Sequence, residues 1–186
     1  SVYGPQEGTV YEDDLGLVLK PQSPYAKCKI KEENYIKKNL SKINQSYVIL
    51  RFGTIYGSSP GMRFHTAVNK FCWQASFKEP ITIWKNALKQ HRPYLGINDA
   101  CNAIFHIVKK DIFNNLTYNV LSQNKTVEDI IKIIKKKINN LQIKFVDSKI
   151  LNQQGYLVDM TKFKNTGFFQ KDKIEKLIFE ELKLLS

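Results

Sequence analysis

An α/β fold is expected for this chain, because β-branched runs such as Val48-Ile49-Leu50 alternate with helically spaced ones such as Ile130, Ile131, Ile134 and Ile138. Gly- and Pro-rich joints, of which Gly57-Ser58-Ser59-Pro60-Gly61 is the clearest, separate the two kinds of segment. Ser1 to Gly4 reads as the end of a strand turning into a loop that runs on to Pro24. A helix follows from about Pro24 to Asn39. Pro24 suits its first turn, and Tyr25, Ile36 and Leu40 are expected on its apolar side. Tyr47 to Tyr56 reads as one buried strand.

Phe64 to Phe77 has helical spacing, and Ile81 to Trp84 is a short strand. Asn98-Asp99 is expected to cap a helix ending near Lys110, and Thr117 to Leu121 is the next strand. Thr126 is placed to cap the helix bearing Ile130 to Ile138. Ile143 to Val146 and a short stretch near Leu157 are the last strands, before a terminal helix from about Lys171.

The 186 residues, 42% of them hydrophobic and 12% aromatic, are enough for one unit with a true core. Cys28, Cys72 and Cys101 are odd in number and far apart, so neither a disulfide framework nor a zinc site is expected. Apolar runs are too short for a membrane span, and the first residues lack the features of a signal peptide, which together point to a soluble cytoplasmic protein. The net charge of +12 is spread over nearly every polar segment, which favours solvated faces over a nucleic-acid or membrane surface. Only Arg51, Arg63 and Arg92 are arginines, and all three fall in the central stretch. Arg offers a rigid fork for phosphate or carboxylate that Lys lacks.

Tyr25 and Lys29 are four apart on the first expected helix, so their heads share a face. A phenol of ordinary pKa about 10 is a poor base at neutral pH, but a nearby ammonium favours the phenolate. Alone the spacing is a weak signal that fits an ordinary aromatic beside a solvated lysine better.

The order of motifs, however, resembles the extended short-chain dehydrogenase/reductase family of nucleotide-sugar epimerases and dehydratases. Val2-Tyr3-Gly4 is similar to its S-x-V-Y-G turn, Pro21 to Lys29 to P-x-S-P-Y-x-x-S-K, and Leu50 to Gly57 to L-R-x-x-N-x-Y-G. Arg92 to Asp99 is similar to R-x-F-x-x-V-x-D, Tyr118-Asn119-Val120 to F-N-V, and Met62-Arg63-Phe64 to an M-R-F segment of some members. The resemblance implies the C-terminal part of a Rossmann-like doubly wound parallel sheet plus a smaller α/β substrate-binding region. Residues 1–60 would be the remainder of the dinucleotide-binding domain, with the Tyr-Lys helix and the next strand. Residues 61–186 would mainly bind nucleotide sugar, returning to the Rossmann sheet near 93–121.

It also implies roles. Tyr25 would be general base and acid, and Lys29 would lower its pKa and bond the ribose of NAD, with NADP the lesser candidate. Phe52 and Gly53 would border the cofactor. Arg92 would grip the substrate diphosphate, for which a bidentate fork is suited, although a surface ion pair also fits it. Thr54, Arg63, Ile83 and Trp84 would meet the substrate, the last two through backbone unless they are core. Homodimer pairing through the Tyr-Lys helix is implied as well.

Thr54 stands where the family has Asn, and Cys28 where it has Ser, which reads as a small packed residue with no base to activate it. His106 is read as one face of a helix, and His65 and His91 have no assigned role. The glycine-rich G-x-x-G-x-x-G turn and the family's catalytic Ser or Thr are absent from the chain, so the isolated 186 residues are expected to be inactive. Ser1 occupies the place where dehydratases and sugar-acid decarboxylases of the family carry Glu, which favours a UDP-hexose 4-epimerase-like activity. A dehydratase or reductase of the same family, and a non-catalytic sugar-nucleotide-binding or assembly module, are the alternatives.

Overall fold

A computed structural model describes residues 2–13, 18–147 and 155–186. Ser1, and with it the expectation built on that position, lies outside the described residues. Val2 and Tyr3 are buried in a turn and not a strand, and β1 (Thr9–Val10) follows.

Helix α1 (Pro24–Lys42) begins where Pro24 allows it, with the Ser23 side chain accepting the Ala26 N–H at 3.1 Å. Its inner side differs from expectation. Tyr25 is 63% exposed, Ile36 and Leu40 are half-buried, and the buried residues are Ala26 and Glu33. The apolar spacing misled because the helix lays a small residue and a charged one, not its aromatics, against the sheet.

The expected strand at 47–56 is two strands, β2 (Val48–Phe52) and β3 (Thr54–Tyr56), divided at Gly53. A Cβ on Gly53 would come within 3.0 Å of the Pro93 carbonyl oxygen, so a glycine is what lets the chain pass this close while changing sheets. β2 is mostly half-buried, with only Ile49 buried.

Helix α2 (Ala67–Ser76) starts three residues later than expected, and β4 (Ile81–Trp84) matches its expected bounds. β5 (His91–Gly96) then leads directly into α3 (Ile97–Lys109). Asn98 and Asp99 do not cap α3. They sit inside it, and their side chains bind other parts of the chain. β6 (Leu116–Val120) and β7 (Gln123–Thr126) precede α4 (Val127–Lys135), where Thr126 and Asp129 form a reciprocal capping box. β8 (Ile143–Val146), β9 (Leu157–Val158), α5 (Thr161–Lys164) and α6 (Ile174–Leu185) complete the described chain.

β2 pairs in parallel with β6, placing Arg51 opposite Asn119, and β4 pairs in parallel with β8. β5 lies between β3, parallel, and β7, antiparallel. Two cores result. One packs Val68, Phe71 and Cys72 of α2 against Ile130, Ile131 and Ile134 of α4 and Leu177 and Ile178 of α6. Each fully buried aliphatic side chain there contributes about 1.5–3 kcal/mol. The other gathers Tyr3, Leu95, Ala103, Tyr118, Tyr156 and Phe163 around β6 and α3.

Candidate active site

Tyr25 and Lys29 occupy successive turns of α1, with the Lys29 ammonium 5.7 Å from the Tyr25 ring centroid. Both are accessible, Lys29 with 43% of its side chain exposed. Lys29 also donates to Glu32 Oε2 at 2.7 Å, and that hydrogen bond with its charge raises the pKa of the ammonium. Cys28 beside it is exposed and free, which corrects its reading as a packed residue. Cys72 is buried and Cys101 exposed, and both are free thiols.

One turn beyond Lys29, Glu33 reaches the sheet. It accepts Arg51 Nε at 2.9 Å and Nη2 at 2.7 Å, a two-point ion pair with both side chains about nine-tenths buried. Arg51 Nη1 donates to the Tyr3 hydroxyl at 3.0 Å, and its guanidinium lies 5.0 Å from the Tyr3 ring centroid. Burial opposes the charge of Arg51, but the hydrogen bonds and charges of Glu33 and Tyr3 outweigh it, and its pKa rises. The Tyr3 hydroxyl donates to Asn119 Oδ1 at 2.6 Å, and Glu12 Oε1 accepts the Asn119 N–H at 2.6 Å. Burial raises the pKa of Tyr3 despite the Arg51 charge, and burial likewise raises that of Glu12.

An aromatic contact extends this network to Arg92. Tyr3 meets Tyr156 edge-on at 6.1 Å, and the Arg92 guanidinium lies 5.9 Å from the Tyr156 ring centroid. Arg92 also donates to Gln90 Oε1 at 2.9 Å. Tyr3, Arg51, Phe52, Gly53, Pro93 and Tyr156 border a small cavity of about 30 Å³, large enough to hold a water molecule. Thr54 pairs with Tyr94 on the adjoining strand. The fold therefore brings Phe52, Gly53, Thr54 and Arg92 together and ties α1 to them through Glu33.

Arg63, Ile83 and Trp84 lie elsewhere. Arg63 is exposed in the loop before α2, Ile83 is 2% exposed in the core, and Trp84 is exposed on β4. The Ile83 side chain is therefore a packing element, and only its backbone is available to a ligand. His106 bonds Thr166 at 3.0 Å and packs edge-on against Phe163 and Phe168. Glu33 and Tyr156 were not singled out from sequence, and Tyr3 and Asn119 stood there only as motif members without a role. The available signal was that Glu33 continues the Tyr25–Lys29 strip by one more turn.

The Tyr25 hydroxyl can donate and accept and the Lys29 ammonium can donate, chemistry that fits sugar hydroxyls such as those of a dinucleotide's ribose. Among the described residues no glycine-rich turn leads into a helix to receive a pyrophosphate. No helix among them is long and apolar enough to cross a membrane.

Parallel strand pairs with intervening helices and a solvent-facing Tyr-Lys helix define part of a Rossmann-like α/β enzyme fold. The chain belongs to the NAD dependent epimerase/dehydratase family, whose sequence profile matches residues 1–120. Over 122 residues it is 31% identical to the uncharacterized UDP-glucose epimerase YtcB of Bacillus subtilis (strain 168), covering 64% of this chain and 36% of that protein. The fold matches UDP-glucuronic acid 4-epimerase from Bacillus cereus, solved with UDP-glucuronic acid and NAD, at a TM-score of 0.83 and 24% identity. That match covers 100% of this chain and 58% of the epimerase. dTDP-glucose 4,6-dehydratase from Bacillus anthracis, solved with NAD, matches at 0.83 and 20% identity over 98% of this chain and 58% of its own. The chain thus spans under two thirds of the length of these relatives and corresponds to their C-terminal portion.

Proposed function

We propose that this chain contributes the acid–base pair and much of the sugar-nucleotide side of an NAD-dependent nucleotide-sugar epimerase, with UDP-hexoses as the substrate class. The carrying observation is the accessible Tyr25–Lys29 pair on α1, inside the segment matched by the family profile. The 31% identity to an uncharacterized UDP-glucose epimerase supports the epimerase reading.

In this reading Tyr25 removes the proton from the sugar hydroxyl and later returns it, and the Lys29 ammonium stabilises the phenolate in between. Held by Lys29 beside Phe52 and Gly53, NAD would supply the hydride-accepting and hydride-returning chemistry at the sugar carbon. Lys29 also holds the ribose hydroxyls, with Phe52 and Gly53 bordering the cofactor. Arg92 binds the diphosphate, and Thr54, Arg63, Trp84 and the Ile83 backbone complete the substrate contacts. Residues 1–60 serve the cofactor side and 61–186 mainly the sugar nucleotide, and the protein acts in the cytoplasm as a homodimer.

The test is product analysis of the native protein with UDP-hexose carrying deuterium at the epimerised carbon. Retention of deuterium in an epimeric product, with no net consumption of cofactor, is the expected result. Deuterium loss, a deoxysugar product or consumption of reduced cofactor contradicts the epimerase reading. The isolated 186 residues are expected not to turn over substrate, and turnover of UDP-hexose by the native protein separates this reading from a pure binding module, which gives binding without product.

A further inference from the structure

Helix α1 is nineteen residues long, yet only Ala26 and Glu33 are buried. Ile30 adds a partly buried contact to the core around β6. Among the described residues, the only side-chain hydrogen bonds that leave α1 for another element are those between Glu33 and Arg51. Apolar contacts such as these and the half-buried Ile36 and Leu40 are non-directional and leave the roll of a helix unset, whereas a two-point bond to a planar guanidinium sets it.

Arg51 cannot follow such a roll. The Tyr3 hydroxyl accepts from it, the Tyr3 ring stacks on it, and Asn119, fully buried and opposite Arg51 in the β2–β6 register, fixes Tyr3. Asn119 is held in turn by Glu12 and by the Asp159 carbonyl at 3.1 Å. A buried ion pair is a poor source of stability, because desolvation offsets the Coulomb attraction and an apolar pair of similar volume does as well. What the fork supplies and an apolar pair does not is a fixed orientation.

Tyr25, Lys29 and Glu33 lie on successive turns of one strip of α1, so the orientation imposed at Glu33 is transmitted along a rigid helix to both. We propose that Glu33 and Arg51 are positioning residues that set the roll of α1 and thereby aim Tyr25 and Lys29 at the substrate. This rests on the assignment of Tyr25 as acid and base. A small misplacement of a reacting group lowers kcat steeply while leaving remote binding contacts intact.

The test compares kcat, KM and folded fraction for the native protein, Tyr25→Phe, Arg51→Lys, and the double replacement Glu33→Met with Arg51→Met. The apolar pair is expected to keep or raise Tm, to lower kcat per folded molecule about tenfold or more, and to leave KM for UDP-hexose within about twofold. Arg51→Lys retains the charge without the fork and is expected to lose kcat in the same sense. It also stands in as the readout should the double variant fail to fold. Variants whose kcat per folded molecule stays within about twofold of native overturn the positioning role, as does a loss confined to KM. Undiminished turnover by Tyr25→Phe instead overturns the catalytic assignment beneath it, so the two failures are distinguishable.

Discussion

Asp99 and Asp172 hold each other through reciprocal backbone bonds. The Asp172 N–H donates to Asp99 Oδ2 at 3.1 Å, and the Asp99 N–H donates to Asp172 Oδ2 at 2.9 Å. Asp99 is fully buried in α3 and also accepts the Ser122 hydroxyl at 2.6 Å and the Lys171 N–H at 2.8 Å. The segment entering α6 is thus pinned to the end of β5. Asp99→Ala strands three donors in a buried site and is expected to destabilise the protein by about 3 kcal/mol or more. Urea unfolding measures the loss, and hydrogen exchange should show α6 opening first. Unchanged stability would mean that the pin contributes nothing.

Glu181 is fully buried on α6 with no hydrogen-bond partner for either carboxylate oxygen among the described residues, and burial pushes its carboxyl from the ordinary 4.5 up to about 7, partly offset by the neighbouring Cys72 thiol. The folded protein therefore holds this proton at pH values where the unfolded chain has released it. Below about pH 4.5 both states are protonated and Glu181 carries no penalty. Its contribution falls as pH rises from about 4.5 to about 7, by about 3 kcal/mol in all. Glu181→Gln should accordingly raise stability relative to native above neutral pH and converge with it in acid. Denaturant midpoints across this range check the prediction, and parallel pH curves for the two proteins refute it.

The α4 capping box joins Thr126 Oγ1 to the Asp129 N–H at 3.1 Å and Asp129 Oδ2 to the Thr126 N–H at 3.0 Å. The Thr126 N–H donated to it holds the Asp129 carboxyl below its ordinary pKa. Thr126→Ala should cost about 1 kcal/mol. It should also weaken packing of Ile130 and Ile134 against α2, which thermal unfolding of the variant would report.

Much of this architecture was legible because it is written locally. The isoleucine spacing of α4 and the β-branched run of β2 are periodic, and Thr126 precedes its helix as a cap should. β5 was hidden because Pro93 and Gly96 interrupt a strand whose buried residues are only Tyr94 to Gly96. β7, Gln123-Asn124-Lys125-Thr126, is polar throughout. Its half-buried position comes from pairing with β5, not from its side chains.

Long-range polar pairs left no local trace. Asp99 looked like a cap because Asp near a helix start usually is one, yet Lys171 and Asp172 lie more than seventy residues away and Ser122 lies beyond β6. Glu33 carried no sequence signal of its own, and Arg51 stood out only as one of three central arginines, until the fold faced them toward each other. Tyr25 and Lys29 were legible as a pair because helix geometry alone aligns them, and the tether holding that helix was not.

The most direct test of the functional account is Tyr25→Phe in the native protein, which removes one oxygen while keeping the ring. Turnover of UDP-hexose should fall by orders of magnitude while NAD binding, followed by calorimetry, stays near native, because the phenol is needed for proton transfer and Lys29 remains to hold the ribose. Turnover equal to native would contradict Tyr25 as the acid and base.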